Sequence, residues 1–265
     1  MSSSQSLARG LSILRELDAS SASMGVREVA RKLELSPAIV QRLMNTLAAD
    51  GFVVRDNRTR KYALGFSALT LGSSMMRDNQ LLSASAAELT RLSDAVEANS
   101  FLCVPTGNRL TYVLAIQSPG PVSINSAPGS TAAFHSTAVG KALLAEMTAE
   151  QVEQTLGSKP LEQFTPATIT DRKVLQEQLE DVRRRGYATT ADENLPGVCA
   201  VGAVVRASDG KPVAAASIAY APSVQPQIVL PDLVRQVVQT TRTISSRLGY
   251  PDAALGEFRL LNDVA

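Results

Sequence analysis

The chain of 265 residues has no tryptophan, one histidine and two cysteines, and aromatic residues make up only 4% of it. Its cores must therefore be aliphatic, built from Val, Leu, Ile and Ala. His135, Cys103 and Cys199 cannot open a zinc site: the cysteines are far apart, and no Cys-x-x-Cys or His-x-x-x-His pair occurs. No metal or other cofactor is expected, and two free thiols are expected rather than a disulfide. No apolar run approaches the roughly 18 residues of a membrane span. Met1-Ser-Ser-Ser-Gln lacks the charged start and apolar stretch of a signal peptide. A cytoplasmic location without a membrane partner is the expectation. Lys plus Arg number 26 against 25 for Asp plus Glu, so the net charge is +1. That balance excludes a globally basic nucleic-acid coat and an acidic solvating tail. What remains is a globular composition, 45% hydrophobic and 19% charged, with length enough for two domains.

The near-zero charge hides an asymmetry. Residues 1 to 70 carry ten bases and six acids, and the rest carries sixteen and nineteen, which makes +4 against −3. In the basic part, Leu7, Leu11, Leu14 and Leu17 recur at helical spacing, and so do Val26, Val29, Ala30 and Leu33. Ser23 is expected to cap the second of these helices. Ser36-Pro37 starts a third, with a buried stripe of Val40, Leu43, Met44 and Leu47 and a stop at Gly51. Residues 52–55 and 61–64 then read as two short strands around the basic turn Asp56-Asn-Arg-Thr-Arg. Three helices and a basic hairpin make a winged helix-turn-helix, in which the third helix enters a DNA major groove beside the wing.

Residues 66–80 and 82–98 read as helices that connect this domain to a strand-rich region. The second carries Leu82, Ala86, Leu89 and Val96 on one face, with Leu92 close by. Strands are expected on both sides of Thr106-Gly-Asn-Arg and of Asp209-Gly210, the latter a strong hairpin signal. Between them lie a Pro/Gly/Ser-rich stretch at 118–130 and helices at 136–147 and 171–185, the second capped by Thr170 and ended by Gly186. A final amphipathic helix carries Val234, Val237, Val238, Thr241 and Leu248. The expected division is a DNA-binding domain at 1–65, connecting helices at 66–98, an effector-binding domain at 99–250 and a tail at 251–265. Helices mixed with antiparallel strands give an α+β fold class.

On the third helix the buried stripe leaves Ala38, Ile39, Gln41, Arg42 and Asn45 outward. Arg42 suits guanine, Gln41 and Asn45 suit adenine, and Ala38 or Ile39 can touch a thymine methyl. Arg55, Arg58, Arg60 and Lys61 in the wing suit phosphates or the minor groove. Ser36 and Arg9 complete the candidate DNA-contacting set. Elsewhere, His135, Cys199 and the pair Asp192-Glu193 raise an alternative, an enzyme acting on a small carboxylate, although a thiol in an apolar strand is usually inert. Another alternative is a winged helix that contacts protein. Gly107, Gly120, Gly129 and Gly140 form no phosphate loop. The run Asp181-Val-Arg-Arg-Arg reads as a solvated helix end.

Several segments together resemble one family. Arg9-Gly-Leu-Ser-Ile-Leu, Val26-Arg-Glu-Val-Ala, Ser36-Pro-Ala-Ile-Val-Gln-Arg-Leu and Gly51-Phe-Val are similar to the N-terminal domain of IclR-type transcriptional regulators. The similarity continues through His135-Ser-Thr-Ala-Val-Gly-Lys-Ala-Leu-Leu-Ala and the long segment from Gly186-Tyr-Ala-Thr-Thr to Val205, then into Val213-Ala-Ala-Ala-Ser-Ile. The resemblance implies a homodimer or dimer of dimers that binds operator DNA. It also implies a GAF-like C-terminal domain, with an antiparallel sheet, that holds a small organic acid. The pocket it implies lies at the start of the helix near Ser136, with Thr137, Ala138, Val139, Thr190, Ala200, Ser217 and Ala219 around it and Ile124 and Phe134 as apolar walls. Many members are acidic where this chain has Thr190 and more polar at Ala200 and Ala219. The resemblance therefore implies an aromatic or longer aliphatic acid here. Ala38 and Ile39 replace hydroxyl residues common in the family, so contacts there are apolar or shifted.

Overall fold

The computed structural model describes residues 4–20, 22–118, 120, 123–124 and 126–251, with 75–78 as backbone only. It divides into two compact units, with the boundary after Asn79. Beyond Pro251, the expected tail lies outside the described residues.

The first unit contains helices α1 (Gln5–Asp18), α2 (Val26–Lys32), α3 (Pro37–Ala49) and α4 (Phe66–Asp78), with strands β1 (Val53–Arg55) and β2 (Tyr62–Leu64) before α4. Its core gathers Ile13, Leu17, Val29, Val40, Met44, Val53 and Tyr62. The leucine stripe expected on α1 is displaced. Gly10, Ile13 and Leu17 are buried, whereas Leu7 is 64% and Leu11 45% exposed. Ile13 turns the inward face about a quarter-turn from a line drawn through leucines alone. The second helix is capped by Gly25, not Ser23. Met24 exchanges both backbone hydrogen bonds with Tyr62, so the chain enters α2 from a single bridge to the wing strand β2. The α3 start follows the sequence: Ser36 Oγ accepts from Ile39 N at 3.4 Å, and Pro37 occupies the first turn.

The second unit begins with α5 (Gln80–Val96). Strands β3 (Asn99–Thr106), β4 (Arg109–Ile116) and β5 (Thr131–Ala132) follow, then helices α6 (Ala138–Leu144), α7 (Ala149–Leu156) and α8 (Arg172–Arg185). Strands β6 (Ala188–Ala191), β7 (Cys199–Arg206) and β8 (Pro212–Tyr220) lead into α9 (Leu230–Arg247). The six strands form an antiparallel sheet in the order β5-β4-β3-β8-β7-β6. Alternation splits its side chains between two cores. Leu102, Val201, Ala216 and Ile218 pack with α5 and α9. Cys103, Ala188 and Ala215 pack with α6, α7 and α8. The hairpin around Gly210 forms as expected, with Gly210 at φ +81°.

Helix starts differ from the sequence expectation by one or two residues. The helix expected from 136 begins at Ala138 and is capped by Thr137, whose hydroxyl accepts from Gly140 N at 3.1 Å. Asp171, not Thr170, caps α8, accepting from Lys173 N and Val174 N, because a carboxylate can take both amides. The basic end of α8 is more than a solvated face. Arg183 donates to the carbonyls of Ala145 and Met147, and Arg184 and Arg185 pair with Asp181.

Candidate functional site

In the first unit, the α3 face opposite Val40 and Met44 presents Ala38, Arg42 and Asn45 exposed, with Ile39 and Gln41 half-buried. Gln41 Nε2 donates to Asn45 Oδ1 at 2.8 Å and to Tyr62 Oη at 2.9 Å. Both amide hydrogens of Gln41 are therefore engaged, and a bidentate pair with adenine requires it to release one partner. Arg42 is exposed beside them.

The wing is shaped by Asp56. Its Oδ1 accepts from Arg58 N at 2.7 Å and Thr59 N at 2.9 Å, and these two bonds hold its carboxyl below the usual carboxylate range. Arg60 takes φ +58°, closing the turn back onto Lys61. Arg55, Arg58, Arg60 and Lys61 are all exposed, with the Arg55 guanidinium 5.9 Å from the Tyr62 ring centroid. Arg9 lies half-buried on α1 and Ser36 caps α3.

In the second unit a cavity of about 50 Å³ opens where α6 begins over the sheet. Register explains its floor. Thr190, Ala200 and Ala219 stand in one cross-strand row, and Gly202, Ser217 and Phe101 in the next on the same face. A Cβ on Gly202 would lie 2.8 Å from the Ala138 carbonyl carbon, so this glycine lets the start of α6 rest directly on β7. Of the residues expected by resemblance, Ile124, Thr137, Ala138, Val139, Thr190, Ala200, Ser217 and Ala219 line the cavity. Phe134 does not: it is buried with Ala132, Ala142 and Leu143, and its carbonyl underlies Gly140.

Sequence reasoning missed Phe101, Tyr112, Ser126, Asn194, Leu195 and Val198, which complete the lining. Phe101 and Tyr112 meet edge-on, with ring centroids 5.5 Å apart. Burial pushes the Tyr112 phenol up to about 12, so it remains a donor across the neutral range. The hairpin of β3 with β4 offered only a partial signal: it sets the two strands side by side, but its register pairs Phe101 with Ala115 and Tyr112 with Cys103, across a shift at Leu102/Cys103.

The residues of the enzyme alternative have other partners. His135 Nε2 meets the Glu162 carbonyl at 2.8 Å, and its ring stacks on Phe164. Burial raises the thiol pKa of both Cys103 and Cys199, which keeps them protonated. Glu193 is buried in a pair with Lys141 on α6. Among the described residues, no cluster of three His, Cys, Asp or Glu could hold a metal, and no helix is long and apolar enough to cross a membrane.

Two family descriptions match the chain: "IclR helix-turn-helix domain" over residues 6–57 and "Bacterial transcriptional regulator IclR C-terminal" over residues 74–246. The chain is similar to the HTH-type transcriptional regulator BhcR of Paracoccus denitrificans, 31% identical over 81% of this chain and 76% of the relative. It is also similar to the HTH-type transcriptional repressor AllR of Klebsiella pneumoniae, 29% identical over 94% and 92% of the two chains. Among solved structures, an IclR transcriptional regulator from Alicyclobacillus acidocaldarius shares the fold, with a TM-score of 0.83. Its identity is 24%, covering 94% of this chain and all of that one.

Proposed function

The chain belongs to the IclR family of bacterial transcriptional regulators, and from that premise we propose that it binds operator DNA through α3 and the wing under the control of a small organic acid held at the α6 cavity. Residues 1–65 contact DNA, 66–98 connect the domains and join two copies, and 99–250 sense the acid. Arg42 reads a base, and Arg55, Arg58, Arg60 and Lys61 hold phosphates. The acid shifts the population between two arrangements of the DNA-binding domains, and it can do so only if its affinity differs between them.

The observation that carries the sensing half is the cavity lining. Hydroxyls of Thr190 and Ser217 and the Asn194 amide stand among Phe101, Ile124, Val139 and Val198, a few polar groups in an apolar wall. That pattern suits a carboxylate with an apolar body. The polar groups and the first-turn amides at Ala138 and Val139 take the carboxylate, and the aromatic or longer aliphatic body lies against Phe101 and Ile124. An engineered apolar cavity of about 150 Å³ takes up benzene. At about 50 Å³, this cavity must widen for a ring, and Leu195, which lines it and is exposed, is a side chain free to swing outward.

Melting curves of the protein against glyoxylate, pyruvate, hexanoate, benzoate and 4-hydroxybenzoate test this reading. An acid at a hundred times its Kd stabilises the domain it binds by about 2.7 kcal/mol. Stabilisation by hexanoate or the benzoates alone is expected. A response confined to glyoxylate and pyruvate would overturn the apolar-body assignment.

A further inference from the structure

Charged side chains enclosed in an apolar interior are rare and, when present, are paired. Lys141 lies in the middle of α6 and is 1% exposed. Its Nζ donates to Glu193 Oε1 at 2.7 Å, to Glu193 Oε2 at 2.5 Å and to Gln178 Oε1 of α8 at 2.7 Å. Glu193 is 7% exposed and immediately precedes Asn194.

The chain around Glu193 is a closed loop. Asp192 takes φ +59° and Gly197 φ +75°. Asp192 N donates to the Val198 carbonyl, Val198 N to the Leu195 carbonyl and Gly197 N to Asp192 Oδ1. The base of this loop is fastened from outside. Thr165 Oγ1 donates to the Asp192 carbonyl at 2.5 Å, Thr168 Oγ1 to the Glu193 carbonyl at 2.6 Å and Ser136 Oγ to Asn194 Oδ1 at 2.9 Å. Asn194, Leu195 and Val198 of the same loop line the cavity, as do Thr137, Ala138 and Val139 at the start of α6. The ion pair thus ties together two elements that both line the cavity, from just outside it.

Stability gives this pair little reason to exist. Burial drives the Lys141 pKa down and the Glu193 pKa up, because each loses more hydration than its partner returns. Apolar residues of similar volume commonly replace such a pair without loss. What two apolar side chains cannot supply is a fixed distance and direction between α6 and the loop.

We propose that Lys141 and Glu193 are positioning residues of the effector cavity, pinning the base of the 192–198 loop to α6 so that Asn194 and Leu195 are set against the bound acid. The proposal rests on reading the cavity as the effector site. Three forms of the full-length protein test it: wild type, Glu193→Gln, and the double variant Lys141→Met with Glu193→Leu, which leaves no unpaired buried charge. Hydrogen exchange is followed along 190–200, and binding of benzoate and hexanoate is followed by calorimetry.

The double variant is expected to melt within a few degrees of wild type. Its amides at 192, 197 and 198 should nevertheless exchange at least tenfold faster, while those of α8 and β8 keep their rates. Affinity for the probe acid should fall at least tenfold, with Glu193→Gln between the two. Unchanged exchange in the loop, or equal acceleration throughout the second unit, overturns the proposal. Should the double variant not fold, Glu193→Gln decides by the same exchange comparison. Should wild type bind neither acid, the effector assignment fails on its own and the exchange arm still decides whether the pair holds the loop.

Discussion

Arg42 and Asp56 show two ways a single side chain can act in the first unit, one exposed on α3 and one holding the turn of the wing. Arg42 is exposed on α3 next to Asn45, whose carbonyl oxygen already accepts from Gln41. A guanidinium with no such internal claim is the stronger reader of guanine. Arg42→Ala is expected to weaken operator binding by about 1–3 kcal/mol and to relax preference at one base position. An unaltered footprint and affinity would remove it from the reading set. Asp56 acts through the wing. Its carboxyl is held low by the amides of Arg58 and Thr59, so its contribution is present above the unfolded pKa and is lost as pH falls through the lower folded one. In an NMR titration its carboxyl should have a midpoint below the ordinary aspartate value of about 3.9, and the two amides should shift with it. A midpoint at or above that value would mean the turn is held otherwise. The outward position of Arg42 was legible from residue type and spacing, whereas the sequence showed Asp56 only as part of a polar turn and not as the acceptor that holds it. Lys141 was not legible, because a lysine inside an apolar helical run shows its partner only when Glu193, fifty-two positions later, is folded onto it.

Helices and strands were legible where period and punctuation agreed, and lost where one was missing. The α3 helix had both Ser36-Pro37 and a four-residue stripe. By contrast α7 was overlooked although Thr148 and Gln151 form a reciprocal capping box, because its eight residues bury only Val152 and offer no stripe. The short strands β5 and β6 had too few residues to show alternation and are defined by their partners β4 and β7. How closely elements approach is set by glycine, which periodicity does not display. On α6, a Cβ at Gly140 would stand 2.3 Å from the Phe134 carbonyl oxygen, and one at Gly202 of β7 would press on Ala138. Gly202→Ala must therefore lift the start of α6 from the sheet, which costs packing and displaces the backbone of Ala138 and Val139. Destabilisation of about 1–3 kcal/mol in chemical denaturation is expected, as for other overpacked sites, together with weaker acid binding. If stability and binding both match wild type, the contact is softer than its geometry states. At the other end of the same core, Asp171→Ala removes an acceptor from two amides and should cost about 1 kcal/mol.

On the scale of the whole molecule, the near-zero net charge makes the salt dependence of DNA binding informative. The exposed cations of α3 and the wing are Arg42, Arg55, Arg58, Arg60 and Lys61, five in one copy. Each phosphate neutralised contributes about −0.9 to the slope of log affinity against log salt, so one copy using these five reaches about −4.5, and one using all ten bases of residues 1–70 about −9. Only a slope steeper than about −9 by itself requires a second copy on the same DNA; between the two values the mass of the complex decides. The first unit carries surface suited to recruiting one: Phe66 is 85% exposed on α4, with Leu69 and Leu71 also open, and Leu7 and Leu11 stand out from α1. Apolar side chains of that size are costly to leave in water and gain about 25 cal/mol per Å² when covered. Wild type is therefore expected to bind operator DNA with a slope steeper than −4.5 and as a complex with at least two chains by sedimentation. Phe66→Ser with Leu69→Ser should lower both the slope and the mass while leaving the melting of the second unit unchanged. A shallow slope with one chain per DNA would show that a single winged helix suffices. In that case the effector could not act by changing the separation of two recognition helices, and would have to act on the contacts made by one.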